Sequence, residues 1–127
     1  MPKQDYYKTL FLVGAVWNWV ATVSFAVGYT FMFPLFDMDL PRYPVFFLLF
    51  LGLAFSFGIG YYLVSRDIFK NHAVVVMGIV GKLIVFVGLL WAWLCGDIHF
   101  IPFSAGIVDL LFAVLFIEFL MTFKKAG

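Results

Sequence analysis

The sequence predicts an all-α protein, an integral membrane four-helix bundle with both termini cytoplasmic. Of its 127 residues 65% are hydrophobic and only 12% charged, and the mean hydropathy is +1.09, a composition outside the range of soluble domains. The apolar residues fall into four long runs, each near the roughly 20 residues that a transmembrane helix needs. These runs are continuous rather than alternating in polarity, which favours helices over the strands of a membrane barrel. Four spans use nearly the whole length, so no soluble domain is expected.

The first helix is expected at 9–33, inside the uncharged stretch from Thr9 to Phe36. A second is expected at 44–64, and a third at 73–94, interrupted only by Lys82. The fourth, at 104–123, carries Asp109 and Glu118. Pro34, Asp37, Asp39, Pro41 and Pro44 separate the first two, Ser65-Arg66-Asp67 the next two, and Gly96-Asp97 with Pro102 the last pair. Such short connections make consecutive helices antiparallel neighbours.

Orientation follows from the basic residues, which cytoplasmic loops retain. Lys3, Lys8, Arg66, Lys70, Lys124 and Lys125 fall on one side, and Arg42 alone on the other, with Asp37, Asp39, Asp97 and His99. Aromatic belts are expected from Tyr6, Tyr7, Tyr61 and Tyr62 inside and from Tyr29, Tyr43, Trp91 and Trp93 outside. Lys3 and Lys8 before an apolar run resemble the start of a signal peptide, but the run is longer than a signal core, so a retained anchor is expected. No lipidation signal is read in the chain.

Function must be sought among the polar residues inside the spans: Asn18, Thr22, Ser56, Lys82, Asp109 and Glu118. A charge at the centre of a membrane helix costs about 2.5 to 3.5 kcal/mol. The apolar residues of the third helix outweigh that cost, whereas the fourth, with two carboxyl groups, should gain from a partner. At about 1.5 Å per residue, Lys82 lies roughly 13 Å from the inner end of its helix, with Asp109 about 21 Å and Glu118 about 8 Å from the same boundary. Nine residues separate the two carboxylates, about 900° of rotation, so they occupy opposite faces. Asp109 is the expected partner, because Gly106 and Ala113 share its face and small residues admit a close neighbour. Glu118, with Thr122 and Lys125, is expected to reach the interface or its basic residues.

Asn18 and Ser56 fall at the depth of Lys82, so a polar layer across all four helices is expected. Asn18, Thr22 and Tyr29 recur on one stripe of the first helix, which suggests an inward face, and Gly52, Ser56 and Gly60 form a small-residue ladder in the second. Trp17 and Trp19 are too deep for an interfacial belt and are expected to pack beside Asn18 or line a cavity. Asn18, Ser56, Lys82, Asp109, Trp17 and Trp19 are thus the candidate ligand-binding residues. The alternative is that the buried pair only holds the helices in register.

Several functions are disfavoured. A net charge of +1 argues against nucleic acid as a partner. Cys95, Asp97 and His99 are close in sequence, but His72 lies on the other side, and a metal site usually needs three or four ligands from fixed elements. No nucleophile and base stand together, so no catalytic residue and no cofactor is assigned.

Gly58-Ile59-Gly60-Tyr61-Tyr62 running into Ser65-Arg66-Asp67, then Gly78-x-x-Gly81-Lys82, then Gly106-x-x-Asp109 with Phe116 and Phe119 downstream resemble the small bacterial four-helix membrane proteins of the DoxX-like type. The resemblance covers roughly the last two thirds of the chain. It implies the bacterial inner membrane and, by analogy with DoxX, an accessory role beside a quinone-linked oxidoreductase. Expected partners are membrane lipids, a lipid or quinone ligand, and a second copy or another membrane subunit. A small secondary transporter or ion pathway is the alternative, although small multidrug transporters use a carboxylate in the first helix where this chain has Asn18. An intramembrane isomerase would need a proton donor and acceptor at one level, which Lys82 and Asp109 provide without any indication of a substrate.

Reporter fusions after Lys70 and Lys125 are predicted to read cytoplasmic and those near Arg42 or His99 external, from the one-sided basic bias. An external carboxyl terminus would overturn this orientation.

Overall fold

The computed structural model describes residues 3–123. It contains four helices: α1 (Lys3–Leu35), α2 (Pro44–Arg66), α3 (His72–Leu94) and α4 (Phe100–Phe123). Each is long and apolar enough to cross a membrane. The protein is therefore an all-α four-helix bundle with the span lengths of a multi-pass membrane protein. Lys124 and Lys125, on which part of the charge argument rests, lie outside the described residues.

Helix ends follow local chemistry more than the loss of hydrophobicity. α1 begins at Lys3 rather than Thr9, because Lys, Gln and Tyr interrupt the apolar run without interrupting a helix. Tyr7, Leu10 and Phe11 already form a buried stripe there at helical spacing. With 33 residues, α1 is about 50 Å long, more than the roughly 30 Å hydrocarbon thickness. α4 starts at Phe100 instead of Ser104, since Pro102 sits in its first turn, where a missing N–H leaves no bond unmade. The Ile101 N–H donates to His99 Nδ1 at 3.1 Å, so His99 serves that helix start.

Two helices stop in the same way. After α3, Gly96 takes a left-handed φ of 80°, while Asp97 N–H donates to the Ala92 carbonyl at 2.8 Å and Gly96 N–H to that of Trp93 at 3.0 Å. After α1, Asp37 adopts φ 54°, with Met38 N–H on the Phe33 carbonyl at 2.9 Å and Asp37 N–H on that of Pro34 at 3.2 Å. Both are the paired-bond termination that satisfies a helix's last carbonyls.

α1 and α2 lie backbone to backbone, as do α3 and α4, so the bundle consists of two tight hairpins. Gly58 admits the Ala15 carbonyl and the Trp19 ring, and Gly106 admits Leu89 and the Phe86 backbone. Between hairpins the spacing is wider and large side chains fill it. Phe11 stacks on Phe116 with centroids 4.6 Å apart, Tyr61 meets Phe116 at 5.1 Å, and Tyr7 meets Phe119 at 5.2 Å. All five rings are fully buried.

This aromatic layer occupies the end of the bundle where α1 starts and α4 finishes. Tyr7 and Phe69 both reach Phe123 there, at 5.4 Å and 5.7 Å. At the opposite end Phe36 stacks on His99 at 5.9 Å, joining the α1–α2 and α3–α4 connections. Tyr7 and Tyr61, expected in an interfacial belt, are instead core residues. Large apolar side chains such as Val27, Phe46, Leu53, Ile84 and Val87 are exposed around the bundle, an apolar girdle that water would not tolerate and hydrocarbon does.

Glycine positions give a direct check on this packing. A Cβ at Gly78 would stand 2.6 Å from the Tyr61 hydroxyl and Cε1 atoms, whereas Gly52 has nothing within 4 Å. Gly78→Ala is predicted to destabilise the folded protein by about 1–3 kcal/mol through overpacking. Gly52→Ala is predicted to leave stability unchanged or raise it by up to about 1 kcal/mol through helix propensity. Thermal unfolding in detergent checks both.

Candidate functional site

The buried charges meet where the two hairpins face one another. Lys82 of α3 is 4% exposed and its Nζ donates to Asp109 Oδ1 of α4 at 2.8 Å. A second N–H of the ammonium donates to Asn18 Oδ1 of α1 at 3.1 Å. Tyr61 and Phe112 present ring centroids 5.4 Å and 5.2 Å from Nζ, placing aromatic faces beside the cation. The Trp17 indole N–H donates to Asp109 Oδ1 at 3.2 Å.

Each side chain is held by its own helix context. Asn18 turns its amide N–H to the Ala54 carbonyl of α2 at 2.8 Å, which fixes the orientation of its oxygen towards Lys82. Thr22, one turn further, donates to the Asn18 backbone carbonyl at 2.7 Å, so its hydroxyl is satisfied within α1. Gly106 and Ala113, one turn either side of Asp109, are buried as expected. The ion pair lies within the α3–α4 hairpin, while the Asn18 and Trp17 bonds cross to α1. The pair thus ties the hairpins together as well as neutralising a charge.

A cavity of about 420 Å³ adjoins this cluster. Its polar lining comes from Trp17, Asn18, Thr22, Tyr61, Lys82 and Asp109, and the rest is apolar. Towards the α1–α2 and α3–α4 connections it reaches Met38 and Ile98, beside the stacked Phe36 and His99. On one flank it is bounded by Phe50, Leu53 and Ile84, which are 46%, 68% and 66% exposed. The cavity therefore opens sideways between α2 and α3. Nearer the aromatic layer these helices approach closely, where Gly60 meets Val74, Gly78 meets Tyr61 and Gly81 meets Phe57.

Of the residues singled out in the sequence, Asn18, Lys82, Asp109 and Trp17 come together. Lys82 pairs with Asp109 and not Glu118, as the helical-face argument requires. Glu118 is exposed near the other end, where the Tyr7 hydroxyl donates to its Oε1 at 2.8 Å. Lys125, its other expected neighbour, lies outside the described residues.

Ser56 departs from expectation. It is exposed, and its hydroxyl donates to the Gly52 carbonyl of its own helix at 3.1 Å. The hydrogen-bonded layer therefore joins side chains of α1, α3 and α4, and α2 contributes the Ala54 carbonyl and the Tyr61 ring. The inward face of α2 runs through Gly58, Tyr61 and Ser65, and Ser56 is rotated about 140° from Tyr61, so the small-residue ladder turns outward at Gly52 and Ser56. Trp19 packs against Gly58, Phe55 and Tyr62 outside the cavity lining.

Tyr61 is the site residue that sequence reasoning missed. It lines the cavity with no exposure, and its hydroxyl is buried without a partner, as is the Trp19 indole nitrogen. The signal was the spacing of Gly58, Tyr61 and Ser65, which marks an inward stripe once Ser56 is not assumed to do so. Among the described residues, no three His, Cys, Asp or Glu side chains gather as metal ligands. Cys95 is exposed and His99 serves α4.

Removing one partner of a buried pair strands the other charge, which costs about 3–5 kcal/mol, whereas removing both is far milder. Lys82→Met is accordingly predicted to destabilise the protein more than Lys82→Met combined with Asp109→Leu. The cycle should show a coupling of about 1 kcal/mol or more. Simple additivity in detergent unfolding would show that the pair contributes nothing as a pair.

Comparisons with protein-family models, with curated proteins and with solved structures give no match to this chain. The DoxX-like resemblance therefore rests on the quoted motifs alone.

Proposed function

We propose that this chain is a multi-pass protein of the bacterial inner membrane, with cytoplasmic termini, that binds an amphipathic small molecule. Its role would be that of a hydrophobic-ligand-binding or quinone-associated accessory subunit, acting beside a membrane partner or a second copy. The observation that carries this reading is the cavity of about 420 Å³ whose polar lining is gathered around Lys82 and Asp109. A largely apolar cavity with a few convergent polar groups is the usual form of a small-molecule site. The sideways opening between exposed Phe50, Leu53 and Ile84 favours a ligand that arrives through the bilayer. In this reading Lys82, Asn18, Asp109 and Trp17 orient the headgroup while Phe25, Phe50 and Phe57 accommodate the apolar body.

A second reading, a small secondary transporter, draws on the polar bonds that link the two hairpins. Ligand exchange at Asp109 would alter those bonds and so the relation of one hairpin to the other. Against a continuous ion path stands the buried aromatic layer of Tyr7, Phe11, Phe116 and Phe119, which fills one end of the bundle.

Protein purified from its membrane is predicted to carry a copurifying lipid or quinone by native mass spectrometry and extraction. Lys82→Met and Asp109→Asn should lose it while remaining folded. Proton-coupled flux in liposomes would favour the transporter instead. Variants that lose stability alone, with neither ligand nor flux in the unaltered protein, would assign the polar cluster to helix register.

A further inference from the structure

The hydrogen-bonding capacity left over at the cluster has a definite chemical character. Lys82 offers three N–H groups, of which Asn18 and Asp109 take two. Both protein bonds to Asp109 end on Oδ1, so among the described residues Oδ2 accepts none. The Tyr61 hydroxyl is fully buried and unpartnered. With that hydroxyl closed off against Gly78, a donor from Lys82 and an acceptor on Asp109 are what remains available on the cavity wall.

The charges, by contrast, are already balanced. Asp109 is tethered 2.8 Å from the ammonium, and no anion entering from solution can match that effective concentration. An anionic headgroup would sit beside the Asp109 carboxylate, and a cationic one beside Lys82, in surroundings where like charges are poorly screened. Either would also bring its own desolvation cost to mid-membrane depth.

We infer that the cavity selects an amphiphile with an uncharged headgroup, carrying both a hydrogen-bond acceptor for Lys82 and a donor for Asp109, and rejects fatty-acid anions and alkylammonium cations of the same chain. This rests on the proposed binding role and specifies the ligand class of the same site. Selectivity arises because the Lys82–Asp109 pair cancels its own charge while leaving its outer hydrogen bonds free. Breaking that cancellation must redirect it: Asp109→Asn leaves a net cation, and its amide oxygen can still accept from Lys82 and Trp17.

The test is native mass spectrometry of the full chain in nonionic micelles, near neutral pH, with monodecanoylglycerol, decanoate and decylammonium as matched probes. Only adducts lost in Ala21→Phe, which adds a ring to the cavity lining and replaces neither member of the ion pair, are scored. Monodecanoylglycerol is expected to bind at least about tenfold better than either charged probe. In Asp109→Asn the preference for decanoate over monodecanoylglycerol is expected to rise by about tenfold or more. Equal or stronger cavity binding of a charged probe by the unaltered protein overturns the headgroup inference while leaving the binding role intact. Absence of all three cavity adducts from folded, unaltered protein overturns the binding role and the inference together. Should Asp109→Asn fail to fold, the ranking on the unaltered protein decides alone.

Discussion

A lysine ammonium halfway along a helix dominated by valine, leucine and isoleucine is the costliest group in this chain to place in a bilayer. The arrangement around Lys82 answers that cost from three helices at once. Asp109 supplies the opposite charge, Asn18 a second acceptor, and Tyr61 and Phe112 aromatic faces. None of these suffices alone, because a buried pair recovers its desolvation cost only when its remaining donors and acceptors are also met. Their assembly fixes the rotation of all four helices about their axes, and the Asn18 bond to the Ala54 carbonyl is a second tie to α2.

The same arrangement divides the bundle into unlike halves. On one side of the cluster the wider gap between hairpins is filled by rings, with Tyr7, Phe11, Phe116 and Phe119 packed edge to face or stacked. On the other side the gap is lined but not filled. Small residues decide which helices approach closely: Gly58 and Gly106 close each hairpin, while Gly78 and Gly81 let Tyr61 and Phe57 bring α2 and α3 together beside the aromatic layer. Beyond Gly81 the exposed Phe50, Leu53 and Ile84 border the gap between α2 and α3, and the cavity opens there.

The spans, their number and the Lys82–Asp109 pair were legible in the sequence because each rests on a large energy. Hydrocarbon demands long apolar helices, and an intramembrane cation demands a carboxylate at its depth and on an accessible face. The fates of Ser56 and Tyr61 were not legible, because smaller differences decide them. Ser56 can satisfy its hydroxyl on the Gly52 carbonyl of its own helix, so facing outward costs it little. A tyrosine near a span boundary reads as a belt residue, and only the packing of Tyr61 against Gly78 and Phe116 shows it as core. The early start of α1 was hidden for a related reason. Charge ends a hydropathy run, but Lys8 does not end a helix whose neighbours Tyr7 and Phe11 are buried.

The hollow half poses an energetic problem whose solution bears on function. A sealed, empty void of about 420 Å³ would cost on the order of 10 kcal/mol on the scale measured for soluble cores, as much as the whole stability of a typical domain. The cavity is not sealed, however. Exposed Phe50, Leu53 and Ile84 border its side opening, so in a bilayer hydrocarbon chains can occupy it and restore the missing dispersion contacts. Any specific ligand therefore competes with bulk lipid rather than with vacuum, and apolar contact contributes little to its preference. Discrimination must come from what a lipid tail cannot offer, the hydrogen bonds left open at Lys82 and Asp109. The costliest residue in the chain is thus also the one through which the cavity can distinguish a ligand from its solvent.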